Sequence, residues 1–321
     1  MRQLLKKRIV KKLYRYVTDK DYRFLVSTYF RKYDKMPDDE FLKRKYKAII
    51  GKELNLEHPV TFNEKLQWLK LNDRKPEYTA YVDKYAVRQY IAQKLGEGYL
   101  IPLLGVWDKP EDIDFDALPD KFVLKCTHNS GLGMCICKDK SKLNIGKVKK
   151  GLAKGLKQNY YLYGREWPYK DVRPQIVAEP LLKDNNVPGS IGTGLIDYKL
   201  YCFNGVPKFF YLGYANISNG YKRDQLTYMN MDWTLAPFYR EGHEKVSFPI
   251  KKPAAWDEMV RIASVLSQNI PFVRVDLLYI DNRVLFSELT FSPGSGFSPF
   301  LPVEWEQQIG EWLDLPTTKE L

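Results

Sequence analysis

The chain is poor in the side chains from which metal and redox centres are most often built, with three His and four Cys in 321 residues. Cys126, Cys135, Cys137 and Cys202 make no CxxC pair, and no Cys/His spacing suits zinc. Cys135 and Cys137 alternate along one expected strand and share a face, as small buried hydrophobes do. No apolar run is long enough to span a bilayer, and no signal peptide opens the chain. The expected setting is therefore reducing and cytoplasmic. Internal repeats and low-complexity tracts are also missing.

Acids are in deficit, 39 Asp+Glu against 51 Lys+Arg, and the net charge of +12 is unevenly spread. Residues 1–35 hold twelve Lys/Arg and three Asp, a balance of roughly +9. In "MRQLLKKRIVKKLYRYV", Leu4, Leu5, Ile9, Leu13 and Val17 recur at helical spacing, while Lys6, Lys7, Lys11, Lys12 and Arg15 fall on other faces. That is a basic amphipathic helix. It is read either as the solvated face of a docked helix or as a contact for an anionic membrane surface or a membrane-bound partner. No nucleic-acid-binding signature accompanies the charge.

What the chain has in plenty is apolar and aromatic: 44% hydrophobic residues, with 23 Tyr and 16 Phe, enough for two or three lobes with real cores. Helical patterns fill the first ninety-odd residues. "TFNEKLQWLK" opens with Thr61 and Glu64 at capping-box spacing, and "DKYAVRQYIAQKLG" runs from an Asp83 cap to a Gly96 stop. Strand-like runs then alternate with helices. "KFVLKCTHNSGLGMCICKD" reads as strand, glycine loop and strand, and "PQIVAEPLL" as a short buried strand. "DYKLYCFNGVPKFFYL" is a hairpin turning at Asn204-Gly205, and "AAWDEMVRIASVLSQ" is an amphipathic helix. This mixed order predicts α+β lobes.

Two acids stand out near the end, in "FVRVDLLYIDNRVLFSELTFSPGSG". Asp276 and Glu288 sit inside apolar, β-branched runs that flank a turn at Asp281 and Asn282, an antiparallel hairpin. A three-residue loop, Asp281 to Arg283, pairs Ile280 with Val284 and sets Asp276 opposite Glu288, with Arg274 and Thr290 on the same face. Cross-strand Cβ atoms are then about 4.5–5.5 Å apart, close enough for two carboxylates to share a cation. A two-residue loop instead sets Asp276 opposite Ser287 and turns Glu288 away. A pair of solvated acids on an edge hairpin is the plainer alternative. Mg²⁺, which takes one or two carboxylates plus phosphate oxygens, is the partner that makes the first register meaningful.

Other constellations lie upstream. Lys125 closes an apolar strand, and the loop "THNSGLG" follows with Gly131 and Gly133, so backbone amides can approach an anion beside a point charge. It is not a Walker A motif, and an ordinary hairpin turn reads the same. His128 and Asn129 in the loop are candidates to orient a ligand. Lys199 alternates with Asp197 and Tyr201 on one strand face, with Tyr198, Leu200 and Cys202 on the core face. In "VAEPLL", Pro180 removes a backbone donor, leaving the Glu179 carbonyl and the Leu181 and Leu182 amides as candidates to meet a planar heterocycle.

Taken in order, "TFNEKLQWLK", "DKYAVRQYI", "YLIPLLGVWD", "LPDKFVLKCTHNSG", "DYKLYCFNG", "FVRVDLLYI" and "SELTFSPGSG" resemble the TupA-like ATP-grasp family, associated with bacterial surface polysaccharide and teichuronopeptide synthesis. The resemblance covers about residues 55 to 310. It implies an α+β ATP-grasp fold with ATP between two lobes: a basic helical segment 1–55, an N-terminal lobe 56–118, a central subdomain 119–182 and a C-terminal subdomain 183–321 carrying the metal. It further implies ATP and Mg²⁺ as cofactors. Lys84, a further nucleotide-binding candidate, would belong to the first lobe, and Lys125 would contact the α/β phosphates, with His128, Asn129, Ser130, Gly131 and Gly133 folding over them. Glu179, Pro180, Leu181 and Leu182 would form the adenine hinge, with Asp184 at the ribose. Lys199 and Arg274 would face the γ-phosphate, and Asp276, Glu288 and Thr290 the metal, Thr290 standing where many relatives have Asn.

The activity implied is a carboxylate–amine ligase: a carboxylate becomes an acylphosphate with ADP release, and an amine displaces phosphate. An acidic surface glycan or its precursor would supply the acid and an amino acid the amine, with Arg165, Glu166, Trp167, Tyr169 and the "SPGSGF" loop as acceptor-side candidates. Alternatives are a sugar or glycan kinase on the same fold, or a non-catalytic scaffold that recruits a membrane-bound glycosyltransferase through residues 1–35. No nucleic-acid partner is implied. The resulting location is cytoplasmic, peripheral on the inner membrane face.

Overall fold

Helices form first because the early sequence carries apolar residues at three- and four-residue spacing with caps between them. The computed structural model describes residues 2–183, 195–218 and 221–317. It opens with α1 (Arg2–Thr18), α2 (Lys20–Tyr29) and α3 (Asp38–Ile50). Asp19 caps α2 by accepting from the Asp21 and Tyr22 amides. Phe24, Phe41, Leu42 and Tyr46 pack into one cluster with Phe297, from the far end of the chain, so α2 and α3 are docked on the body. The expected capping box of Thr61 and Glu64 starts α4 (Phe62–Asn72). Next come α5 (Glu77–Val82) and α6 (Val87–Leu95). Asp83 accepts from the Tyr85 and Ala86 amides, so it caps the turn that feeds α6, and Gly96 ends the helix.

The first sheet is built from β1 (Gly105–Trp107), β2 (Phe122–Cys126) and β3 (Cys135–Cys137). After α7 (Ile145–Leu156) and α8 (Tyr161–Gly164) comes β4 (Ile176–Pro180). The strand order is β1-β4-β2-β3, all antiparallel. Leu152 of α7 closes a core with Phe122, Leu124, Cys126, Cys137 and Ile176. Cys135 packs at its edge, so these cysteines behave as the small hydrophobes expected of them.

The second sheet holds β5 (Ile196–Phe203), β6 (Val206–Ser218), β7 (Tyr221–Asn230), β8 (Phe272–Ile280) and β9 (Arg283–Thr290) in the order β7-β6-β5-β8-β9. On one face α9 (Trp256–Leu266) lays Met259, Ile262 and Leu266 against Leu200, Cys202, Val273 and Val275. Full burial of such side chains is worth about 1.5–3 kcal/mol each. On the other face, α4 and α10 (Glu304–Glu311) bring Phe62, Leu66 and Ile309 to Tyr201, Phe203, Phe209 and Phe300. Residues 56–118, expected as a lobe of their own, are shared out. Tyr78, Val87 and Ile91 join the core of the second sheet, because their apolar faces match it, while β1 hydrogen-bonds into the first sheet. No helix among the described residues is long and apolar enough to cross a membrane.

Candidate active site

The β8–β9 hairpin reaches the expected pairing by an unexpected route. Its turn has two residues, Asp281 and Asn282, both at positive φ (50° and 60°), and Ile280 pairs with Arg283 rather than Val284. A regular ladder from that turn sets Asp276 opposite Ser287. Instead Leu277 pairs with Phe286 and Asp276 with Glu288, so Ser287 is an extra, bulged residue. Phe286 already faces the core opposite Leu277, and the bulge beyond it turns Glu288 onto the face of Asp276. The three-residue loop is thus corrected, while the facing carboxylates it was invoked to explain are present.

The register continues across the whole sheet. Tyr228 faces Tyr211, Tyr211 faces Lys199, Lys199 faces Asp276 and Asp276 faces Glu288, giving one row over five strands. Tyr201, Arg274 and Thr290 form part of the next row on the same face. Arg274 grips Asp276 with both Nε and Nη2 at 2.6 Å, and Nη2 also donates to Thr290 Oγ1 (2.9 Å) and Glu288 Oε1 (3.2 Å). Lys199 donates to Asp276 Oδ2 and lies 3.8 Å from Asp197.

Burial separates the two acids. Asp276 is fully buried; burial pushes its carboxyl upward, and Arg274 and Lys199 oppose that push. Glu288 keeps 43% of its side chain exposed. There the burial effect is outweighed by Lys199, Arg274 and Lys84, which hold its pKa down at about 2. Lys199 feels burial most, but Asp197 and Asp276 reverse the sign and raise its pKa. Both cations therefore stay charged.

The first sheet supplies the opposite wall. Lys84 donates to the Asn129 carbonyl (2.6 Å), and Lys125 pairs with the Glu179 carboxylate (2.5 Å). These three side chains and Glu288 line one cleft of about 50 Å³. Ligand pockets usually run to about 300 Å³ or more, so the cleft as it stands is smaller than a nucleotide. Burial lowers the Lys84 pKa, Lys125 adds to the effect and Glu288 opposes it.

The glycine loop divides its labour. His128 Nε2 bonds the Gln158 carbonyl (3.0 Å), and Asn129 Nδ2 donates to Leu132 O (3.1 Å) and Gly155 O (3.2 Å). These two buried residues, expected to orient a ligand, instead tether the loop to the end of α7. Gly133 is there for packing: a Cβ would stand 3.1 Å from Gly155 Cα. Ser130 and Gly131, exposed at the tip with Gly131 at φ 85°, remain able to approach an anion.

At the hinge, Pro180 faces Phe122 and ends β4 as expected. The Leu181 amide donates to Lys121 O (3.3 Å), which corrects its assignment as a free donor. Leu182 packs with Ile101, Leu278, Ile280 and Leu285. Asp184 lies outside the described residues.

Beyond Lys199 the same face of the second sheet opens into a cavity of about 320 Å³, walled by Lys199, Arg274, Tyr211, Tyr228, Arg240 and Gly294. Of the acceptor-side residues expected from sequence, only the "SPGSGF" loop lines it. Gln67 donates to Gly296 O (2.6 Å) and Lys70 to Ser295 O (2.7 Å), pinning that loop to α4. Burial drags the Lys70 pKa down to about 7, against the pull of Glu166. Glu166 accepts from Ser295 Oγ. Arg165 is a strut: it donates to the carbonyls of Tyr33, Asp34 and Met36 and stacks 4.4 Å over Phe41. Sequence reasoning missed Arg240, Tyr211 and Tyr228. For Tyr211 the signal was alternation along β6, and a bulge at Lys208 hides it.

The family model described as TupA-like ATPgrasp matches residues 64–314. The chain belongs to the TupA-like ATP-grasp family. A search of curated proteins finds no match. Among solved structures, D-alanine–D-alanine ligase from Helicobacter pylori matches at 14% identity and TM-score 0.37, over 73% of this chain and 61% of that one. Phosphoribosylamine–glycine ligase from Thermotoga maritima matches at 13% and 0.40, over 68% and 50%. The ATP-grasp ligase PsnB complexed with a minimal precursor, Mg and ADP matches at 12% and 0.36, over 82% and 64%. The chain thus spans between half and two thirds of the length of each.

The ATP-grasp family to which the chain belongs raises the question of a magnesium ion carried by a nucleotide, and the donor set here would fit one. Among the described residues no three His, Cys, Asp or Glu gather as a metal cluster, but such an ion needs only one or two carboxylates beside phosphate oxygens. Glu288 offers the open one: Arg274 and Thr290 both bond its Oε1. Asp276, expected as an equal ligand, has Oδ1 on Arg274 and Oδ2 on Arg274 and Lys199. In this TupA-like protein it is first the counter-ion of the two cations, and it serves a metal only by releasing one of them.

Proposed function

We propose that the protein is an ATP- and Mg²⁺-dependent carboxylate–amine ligase acting on an acidic glycan or its precursor. One observation carries this reading. Lys199 and Arg274 stand between a cleft edged by Lys84, Lys125 and Glu288 and a separate cavity that both cations also line. A phosphoryl group passing from one side to the other would meet both charges, and fixed cations in a buried site stabilise developing anionic charge strongly. Bound ATP supplies the phosphoryl group, and Mg²⁺ at Glu288 offsets phosphate charge. A carboxylate in the cavity attacks without a base, giving acylphosphate and ADP. An amine then displaces phosphate and loses a proton. Incubation with Mg·ATP and uronic acids crossed with amino acids should release ADP and phosphate only when both acid and amine are present. AMP release, or ADP release with a hydroxyl acceptor alone, sinks the reading.

Asp197 favours one alternative. It lines the cavity as a carboxylate beside Lys199 and is placed to take a proton from a hydroxyl, as a sugar kinase needs. Product mass decides: the gain of one phosphate means kinase.

For location we propose an anionic membrane surface. On α1, Val10, Leu13, Tyr14 and Val17 are all exposed along one stripe, and Tyr29 and Phe30 are exposed at the end of α2. Lys11, Lys12 and Arg15 flank the stripe, and residues 1–35 carry about +9. The protein should sediment with phosphatidylglycerol vesicles and not with phosphatidylcholine. The double change Leu13→Glu, Val17→Glu should abolish sedimentation; unchanged binding overturns the docking surface.

A further inference from the structure

The second sheet's cavity contains a cation that no ion pair among the described residues neutralises. Arg240 is 7% exposed, yet among the described residues it makes no ion pair, and its Nε and Nη2 have no hydrogen-bond partner. The acid whose charge it feels, Glu306, is turned elsewhere, accepting from the Phe300 amide (2.6 Å) and the Asn63 amide (3.3 Å). Arg274 shows what a satisfied guanidinium in this cavity looks like, with Asp276, Glu288 and Thr290 all on it. Arg165, also buried, gives Nη2 to three carbonyls and has a carboxylate, Asp38, 3.5 Å from its Nε. A buried cation without a counter-ion is costly, so Arg240 is in an unfinished environment.

It is also held in place. Tyr239 and Leu301 exchange backbone hydrogen bonds at 2.9 and 2.8 Å, fixing the segment, and the Arg240 guanidinium stacks 4.3 Å from the Phe300 ring. Its Nη1 lies beside Gly294, where an added Cβ would stand 3.8 Å away, and both residues line the cavity. Gly294 itself, at φ 61°, is required by its left-handed backbone and by Ser298, whose Cβ would stand 3.1 Å from an added one. A preset guanidinium on an aromatic face is suited to a carboxylate or a phosphate.

We propose that Arg240 is the seat for a second anionic group of the acceptor, distinct from the carboxylate that reacts at Lys199 and Arg274. This rests on the ligase reading for which end of the cavity reacts. The acceptor is then a compact dianion: a sugar acid carrying a further carboxylate or phosphate, with Tyr211 and Tyr228 as aromatic walls. At about 320 Å³ the cavity is at the small end of ligand pockets, so it takes one sugar-sized unit.

Equilibrium dialysis of the full chain tests this without turnover, using glucuronate 1-phosphate, galactarate, glucuronate and glucose as probes. At least one of the two dianions should bind ten or more times tighter than glucuronate, and which one does identifies the second group as phosphate or carboxylate. Arg240→Gln should erase that difference, Arg240→Lys should keep part of it, and both should retain Mg·ADP binding. Arg240→Gln should also melt no lower than the parent, since it removes an unpaired charge. Equal binding of glucose, no preference for either dianion, or a preference that survives Arg240→Gln overturns the assignment. Failure of the parent protein to bind Mg·ADP would count against the ligase reading, while the dianion preference and its dependence on Arg240 would stand.

Discussion

The two hairpins of the second sheet, β5–β6 and β8–β9, use the same device in different places. Each turns on two residues at positive φ, Asn204-Gly205 and Asp281-Asn282, and each then carries one bulged residue. In β5–β6 the extra residue is Lys208, two residues beyond the Val206 that follows the turn; it moves Tyr211 opposite Lys199. In β8–β9 it is Ser287, beside the site, and it moves Glu288 opposite Asp276. Both shifts feed the same row of side chains. The first bulge is announced by Pro207, which cannot donate to a ladder and belongs at irregular positions. The second has no such signal.

The largest expected effect falls on the end of that row where burial is complete. Asp276→Asn leaves Arg274 and Lys199 buried without their counter-ion, and breaking such a pair costs about 3–5 kcal/mol. Urea unfolding should show a stability loss of that order together with loss of ATP turnover. A variant as stable as the parent would mean that the ion cluster is not the anchor of the sheet.

Glu288→Gln should separate function from stability. The side chain is 43% exposed, so the stability lost near neutral pH should be well below that of Asp276→Asn, while Mg·ATP turnover falls by about a hundredfold or more. The pH sign is set by its pKa, which is below the usual 4.5 at about 2. Its contribution is present above about 4.5 and is lost as pH falls toward 2. Between those limits the parent should lose more stability than Glu288→Gln; parallel acid curves would contradict the assigned environment.

Deleting Ser287 tests the second bulge directly. A regular ladder then runs from the Asp281-Asn282 turn and still places Glu288 opposite Asp276. Turnover should stay within about tenfold of the parent, far above Glu288→Gln. If the deletion matches Glu288→Gln, the bulge does more than set register.

These hairpins also mark what was legible from sequence. Asn204-Gly205, the capping box at Thr61 and Glu64, and the apolar stripe of α9 are local patterns, and each stands where residue spacing put it. Facing carboxylates were inferred from a loop length that the hairpin does not have, since a bulge leaves no mark on periodicity when the extra residue is a serine. Glu179 was read for its backbone, yet its side chain pairs with Lys125 from a neighbouring strand. Arg240 lies between strands on an irregular segment with no motif around it. Contacts of that kind depend on how separate elements pack, and single-chain patterning records only the elements.

The smallest effects should come from the turns themselves, and they should differ in sign. Gly205 sits at φ 84°, and an added Cβ would meet Gln268 Cα and Ser267 O only at an ordinary 3.8 Å, so Gly205→Ala meets no clash and only backbone strain, a loss of about 1 kcal/mol. Asn282 already tolerates φ 60°, and its side chain accepts from Tyr279 Oη at 3.1 Å. Asn282→Gly relieves the left-handed backbone and gives up that exposed hydrogen bond, so it should stabilise by no more than about 0.5 kcal/mol. Chemical denaturation of both variants ranks the turns. A larger penalty at Asn282 than at Gly205 would show that the β8–β9 turn, not its bulge, holds Glu288 in register.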